Sequence, residues 1–297
     1  MNYSMIRYIL SSVICFVGIF LLLPAATAGI YQEKEGFLYL ITGLACMLIG
    51  FLGRRRKPKS SVFYSKEGFA AVALSWIILS LIGALPMHLT GEFPSYIDAL
   101  FETISGFTTT GSTILTDVEA LSHGMLMWRS FLHWLGGMGV IVFLLAIIPR
   151  LGGQQNIFLM KAESPGPIVG KAVPKMRNYA MLLYGIYFGL TALEFIFLIV
   201  GKMPVFDALN ISFATAGTGG FGVTNAGIAS YSNYLQTVIA IFMMLFGINF
   251  SVYILILAKK FKQAFRIQEL WVYFGIIVLS TASVSYTHLT LPTTSRV

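Results

Sequence analysis

Two stretches carry residues whose types and spacing suit cation coordination: FETISGFTTTGSTIL (Phe101–Leu115) and FDALNISFATAGTGGFGVTNAGI (Phe206–Ile228). Thr109-Thr110-Gly111 and Thr218-Gly219-Gly220 offer small side chains, a Thr hydroxyl and a backbone free to adopt unusual dihedrals. Such a backbone can replace an ion's hydration shell with its own carbonyl oxygens. Other chemistry finds little support. His88, His123 and His133 lack HExxH or comparable metal spacing, and no nucleophile–base or metal constellation lies within the apolar segments, which sets aside an intramembrane hydrolase. Two Gly-rich surface turns are the plainer alternative, but a turn needs neither a preceding short helix nor a second copy.

These residues sit in a chain that is 57% hydrophobic and 11% charged, with mean hydropathy +0.79 over 297 residues. A soluble domain carries about twice that charge fraction. Apolar spans are predicted at 5–28, 36–53, 68–89, 126–149, 178–201 and 233–258, with a seventh starting near 269. Arg7 lies at the start of the first span, with no small-residue cleavage site after it, so a retained helix is expected rather than a removed signal peptide. Cys15 and Cys46 fall inside spans and read as small buried hydrophobes.

The basic residues occupy alternate loops. Arg54, Arg55, Arg56, Lys57, Lys59 and Lys66 follow the second span, Arg150, Lys161, Lys171, Lys175 and Arg177 the fourth, and Lys259, Lys260, Lys262 and Arg266 the sixth. Together these are 15 of the 20 Lys and Arg, which makes that side cytoplasmic by the positive-inside rule and places the N-terminus inside. The net charge of +8 is thus a topology signal, and nucleic acid is not expected as a partner. Glu33, Glu35, Glu92, Asp98, Glu102, Asp117, Glu119 and Asp207 fall on the other side, where an acidic mouth would concentrate cations.

The two Gly/Thr stretches are copies. A shift of 109 residues lays Asp98-Ala99-Leu100 on Asp207-Ala208-Leu209, Thr109 on Thr218 and Gly111 on Gly220, and carries the helix at 126–149 onto 235–258. Ile97–Phe107 and Phe206–Ala216 are each too short to span a bilayer. They read as pore helices, with Asp98 and Asp207 expected at the N-caps. Their C-terminal ends, near Phe107 and Ala216, direct partial negative charge toward a pore. The following irregular backbone is tolerated at membrane depth only where it lines a water-filled path.

Helix, pore loop, helix, repeated within one chain, resembles the Trk, Ktr and HKT superfamily of K⁺ transporters. Within it, SGFTTTGSTIL, WRSFLHWLGGMGVIVFLLAIIP (Trp128–Pro149) and GGQQNIFLMKAESPGP (Gly152–Pro167) are similar to the TrkH family of bacterial inner membranes, as is the helix pair ahead of the first pore unit. The resemblance runs from about residue 1 to about residue 283. It implies an all-α polytopic membrane protein whose helix–pore loop–helix units surround a pseudo-fourfold pore. It also implies K⁺ uptake as the activity, a homodimer, and a cytosolic nucleotide-binding gating ring of the TrkA type. By position, the K⁺ filter residues are Thr109, Thr110 and Gly111, with Thr218, Gly219 and Gly220 as counterparts. K⁺ is the transported ion, and no cofactor is expected. The family's fourth-unit filter Gly, third-unit gating loop and fourth-unit pore-blocking Arg have no counterparts here.

The expected organisation is a two-helix leader (1–58), a first unit (59–150), a second unit (151–268) and the start of a truncated third (269–283). The seventh helix loses apolar character by Ser280, and VSYTHLTLPTTSRV (Val284–Val297) resembles translated adaptor sequence, so 284–297 is read as a non-native tail. Two filter strands supply about half of a carbonyl cage, so this fragment alone is expected to be inactive. Two alternatives accompany K⁺ uptake. One is a Na⁺-permeable member of the superfamily, against which Gly111 argues because Ser stands at that filter position in Na⁺-passing relatives. The other is a non-conducting membrane scaffold or sensor, which would need no re-entrant filter. Three features stay open at this level. Arg129 either pairs with Glu102 or a loop carbonyl, or snorkels to the interface. Glu194 either faces a neighbouring helix or lines an ion path. Gly136-Gly137 and Gly139 either permit close helix approach or form a hinge.

Overall fold

The computed structural model describes residues 2–56, 65–137, 139 and 176–290, and every regular element among them is helical. The later part of the predicted fourth span, the basic loop from Arg150 to Lys175, Lys57, Lys59 and residues 291–297 lie outside the described residues. The described chain divides into two compact units, residues 2–246 and 247–290, within those limits.

The first unit opens with α1 (Tyr3–Phe20) and α2 (Leu22–Ile30), where a single span was predicted. Pro24 explains the break, because it has no N–H for the carbonyl of Phe20 and its ring crowds that turn. Helix α3 (Gly36–Arg55) packs along α1. Helix α4 (Ser65–Leu89) contains Pro86. Pro86 leaves the Ile82 carbonyl without its helical donor, and the carbonyls on either side of it accept from side chains, Leu81 O from Tyr96 Oη (2.8 Å) and Gly83 O from Trp128 Nε1 (3.0 Å). Two short helices, α5 (Tyr96–Phe107) and α8 (Val205–Ala216), flank the inner helix α6 (His123–Gly137), and α7 (Met176–Val200) and α9 (Asn233–Phe246) complete the unit. Helices α5 and α8 are 12 residues each, about 18 Å, so neither crosses a bilayer.

The second unit holds α10 (Phe250–Leu257), α11 (Phe261–Ala264) and α12 (Gln268–Thr290). The predicted sixth span is therefore two helices. Asn249 starts the second of them, its side chain accepting from Ser251 N at 2.9 Å, a local bond that competes with continued helix. Helix α12 also runs past Ser280, where the apolar pattern fades. Thr287 Oγ1 bonds back to Val284 O at 2.8 Å, so a polar residue here does not by itself end the helix.

Among the described residues, five helical segments are long and apolar enough to cross a membrane: Tyr3–Ile30, Gly36–Arg55, Glu67–Leu89, Ala180–Val200 and Gln268–Thr287. Their outward faces carry exposed Phe, Leu and Ile, among them Phe37, Leu48, Phe69, Ile77, Phe188 and Ile196, as hydrocarbon contact requires. The chain is a multi-pass membrane protein.

Candidate functional site

Each short helix delivers its Gly/Thr loop in the same way. Thr109 N–H donates to Gly106 O (3.0 Å) and Thr110 N–H to Ser105 O (2.9 Å). In the second copy Thr218 N–H donates to Thr215 O (2.8 Å) and Gly219 N–H to Ala214 O (3.1 Å). This is the paired 6→1 and 5→2 bonding of a Schellman C-cap, whose left-handed position normally takes Gly. Here Thr occupies it twice, at φ 55° for both Thr109 and Thr218. A β-branched residue in that region is a backbone outlier costing on the order of 1–3 kcal/mol, and such strain concentrates at functional sites. Two residues on, Gly111 (φ 75°) and Gly220 (φ 80°) are left-handed again. Both loops thus reverse hand at alternate residues, and a one-sided row of carbonyls needs such a backbone rather than a strand.

The two loops meet. A Cβ built on Gly111 would overlap the carbonyl oxygen of Gly219, so the strands lie backbone against backbone. All six residues singled out from the sequence (Thr109, Thr110, Gly111, Thr218, Gly219 and Gly220) are therefore brought into one place. Their exits share the end of the bundle that holds Glu33, opposite the end of α3 that carries Arg54–Arg56.

The caps differ from expectation. Ser95 and Pro204 take the N-cap positions, and Asp98 and Asp207 fall in the first turn at the third helical residue of each copy. A carboxylate there still complements the helix dipole, and Asp207 accepts from Tyr231 Oη at 3.0 Å.

Helix α6 holds both loops. Gly136 abuts the C-terminal end of α5, where a Cβ would overlap Phe107 O and meet Thr109 Cγ2 at 3.1 Å. Gly137 abuts the end of α8, where a Cβ would lie 2.9 Å from Gly217 Cα and 3.2 Å from Ala216 O. At Gly136 and Gly137 the close-approach alternative is realised, with the two short helices as the partners. Gly136→Ala is accordingly expected to displace the first loop, and any cation passage that depends on that loop should fall at least tenfold, since a misplacement of about 1 Å can cost a preorganised site a hundredfold. Rubidium uptake by a full-length protein carrying the change, at matched membrane levels, tests this.

Arg129 takes the first of its alternatives. It is 1% exposed and Glu102 is fully buried. Its Nη2 lies 2.7 Å and its Nε 2.9 Å from Glu102 Oε1. The same carboxylate accepts from Thr113 Oγ1 at 2.9 Å and from Ile114 N at 3.4 Å, which ties down the chain just beyond Gly111. In the second copy the shift of 109 puts Ile211 and Val238 at these places, so that loop has no ionic tether of this kind.

Three further contacts escaped the sequence reading. Glu33 of the leader caps α6, accepting from His123 N (2.7 Å) and Gly124 N (3.0 Å), while Tyr31 stacks on the His123 ring at 3.7 Å. Asn225 bridges the outer ends of the two copies: its Oδ1 accepts from Val118 N (2.7 Å), its N donates to Glu119 (2.9 Å) and its Nδ2 to Asp117 (2.8 Å). The Asn225 donor, first of all, holds the exposed Asp117 carboxyl below its ordinary range. Burial pushes the Glu92 carboxyl up, against the opposing pull of bonds from Ser122 N (2.6 Å) and Ser122 Oγ. Only the repeat itself could have signalled the Asn225 bridge, since it joins residues about 108 positions apart. Glu194 is buried on α7, with Thr215 of α8 as its side-chain neighbour.

The family comparison matches this geometry. The sequence profile of the TrkH family, described as a cation transport protein, matches residues 36–281. A Trk system potassium uptake protein TrkH of Salmonella typhimurium is 37% identical over 275 residues, covering 89% of this chain and 55% of that protein. An uncharacterised cation transporter of Methanocaldococcus jannaschii is 32% identical, covering 86% and 53%. The crystal structure of the potassium transporter TrkH from Vibrio parahaemolyticus superposes with TM-score 0.78 at 28% identity, covering 94% of this chain and 57% of that one. The chain spans about half the length of these relatives. It belongs to the TrkH family of cation transport proteins.

Proposed function

We propose that the chain forms part of the pore of a bacterial K⁺-uptake system of the Trk type, with K⁺ coordinated by backbone carbonyls of Thr109, Thr110, Gly111, Thr218, Gly219 and Gly220. The observation that carries this reading is the duplicated backbone: two pore helices with the same strained Thr C-cap, two left-handed glycines in register, and contact between Gly111 and Gly219. A scaffold or sensor has no use for that strain. Gly at position 111 favours K⁺ over a Na⁺-permeable variant, since it keeps the carbonyl row free of side chains.

The names of the relatives support K⁺ as the ion. The proposed units are 59–150 and 151–268 behind a leader at 1–58, with 269–283 beginning a third. The basic loops support an inner-membrane orientation with a cytoplasmic N-terminus, and they face the side on which a TrkA-type nucleotide-binding ring would dock. A homodimer follows from the family resemblance. The chain would act as a transporter subunit and not as an enzyme, with no cofactor beyond the transported K⁺.

The test replaces the matched segment of the Salmonella typhimurium relative with residues 1–283 and expresses the full-length chimera in a K⁺-uptake-deficient bacterium. Rubidium uptake competed by K⁺ far better than by Na⁺ is the expected result. A chimera that reaches the membrane and takes up no rubidium, or takes up Na⁺ equally, would defeat the proposal.

A further inference from the structure

Helix α6 belongs to the first copy, yet one face of it seats the loop of the second. His133 O lies 2.5 Å from where a Cβ on Gly217 would stand, and the imidazole itself presses on Gly219, whose added Cβ would overlap the ring. The ring stacks on Phe221, centroids 4.0 Å apart and planes 24° from parallel. Arg129, one turn earlier on α6, places its guanidinium carbon 4.4 Å from the centre of the same Phe221 ring. Phe221 is 4% exposed and His133 fully buried. Neither ring nitrogen of His133 has a hydrogen-bond partner among the described residues.

Ring nitrogens buried without a partner cost free energy that a hydrocarbon side chain would not, and none of the described residues supplies one here. The corresponding place in the second copy holds Phe242, so nothing in the repeat demands a histidine there. What the imidazole supplies is a thin, flat wedge. It fits against Gly219 on one side and lies along Phe221, the residue after the last filter glycine. Gly219 in turn presents its carbonyl oxygen to Gly111. A line of contact therefore runs from His133 through Gly219 to the first loop, and a change at its start moves the carbonyls at its end.

We propose that His133 is a positioning residue for the second filter strand, acting through Gly219 and Phe221 to set the spacing on which K⁺ over Na⁺ discrimination depends. This rests on the filter reading above. A filter selects ions through the placement and number of its carbonyl dipoles, so moving Gly219 changes what K⁺ and Na⁺ meet. The first strand is held ionically by Glu102 and Arg129, whereas the second is held by rings.

The test is His133→Ala in the full-length chimera, reading the KM for rubidium and the rubidium-to-Na⁺ uptake ratio at matched membrane levels. Removing the wedge is expected to raise KM and lower the ratio, each by about tenfold, a fraction of the hundredfold that a misplacement of about 1 Å costs. His133→Gln, a flat amide of similar reach, is expected to recover part of both. A merely structural histidine would lower Vmax through the amount of protein while leaving KM and the ratio unchanged, and that result overturns the proposal. If His133→Ala does not reach the membrane, Phe221→Leu removes the same stack, and the Arg129 contact with that ring, while leaving the sequence of α6 unchanged, and unchanged KM and ratio in it overturn the proposal equally. Failure of the filter reading shows separately, as an unsubstituted chimera whose rubidium uptake K⁺ does not compete, and it removes both.

Discussion

In the full-length chimera, Gly111→Ser is expected to lower K⁺ over Na⁺ discrimination by well over tenfold, and Gly220→Ser by about tenfold. Both positions are left-handed, at φ 75° and 80°, and a residue with a Cβ pays about 1–2 kcal/mol to stay there, close to a factor of ten. The two sites differ in what the side chain meets. At Gly111 it would overlap the Gly219 carbonyl oxygen, so the two strands must part. At Gly220 nothing lies within 4 Å, and only the dihedral strain acts. Rubidium uptake against rising Na⁺, with growth at limiting K⁺, measures both effects. Unchanged growth and unchanged ion ratio in both variants would count decisively against the filter assignment, and equal effects would count against the contact between the strands.

The repeat made much of the site readable. Asp98/Asp207, Thr109/Thr218 and Gly111/Gly220 keep one spacing, and the structure gives each pair one local role, including the left-handed backbone at Thr109 and Thr218. Length and apolar character placed α3, α4 and α7 closely, because an uninterrupted span leaves the backbone no alternative in lipid. What was not readable depends on pairs distant in the chain or on competition between local bonds. The break at Pro24 and the restart at Asn249 are decided by single residues within apolar runs. The capping of α6 by Glu33 joins residues 90 positions apart in chain segments that show no common pattern. His133 was legible only as a histidine without a motif, since its partners Gly219 and Phe221 belong to the other copy.

Breaking the Glu102–Arg129 pair has the largest expected effect on stability, and it separates stability from transport. With Arg129 1% exposed and Glu102 fully buried, removing either charge strands the other away from solvent. Such losses cost about 3–5 kcal/mol. Glu102→Leu and Arg129→Met, made singly, are therefore expected to lower the melting temperature of the purified full-length chimera sharply, with transport falling alongside. The double variant should recover most of that stability, because a well-packed apolar pair is often neutral or better in place of a buried ion pair. Transport should not recover with it. Glu102 is also the acceptor for Thr113 Oγ1 at 2.9 Å and for Ile114 N at 3.4 Å. Those donors lie two and three residues after Gly111, and no leucine can hold them. A stable double variant with raised rubidium KM and lowered rubidium-to-Na⁺ ratio is the expected outcome. Full recovery of both in the double variant would show that the pair only packs the helices and that the Thr113 tether does not set the filter.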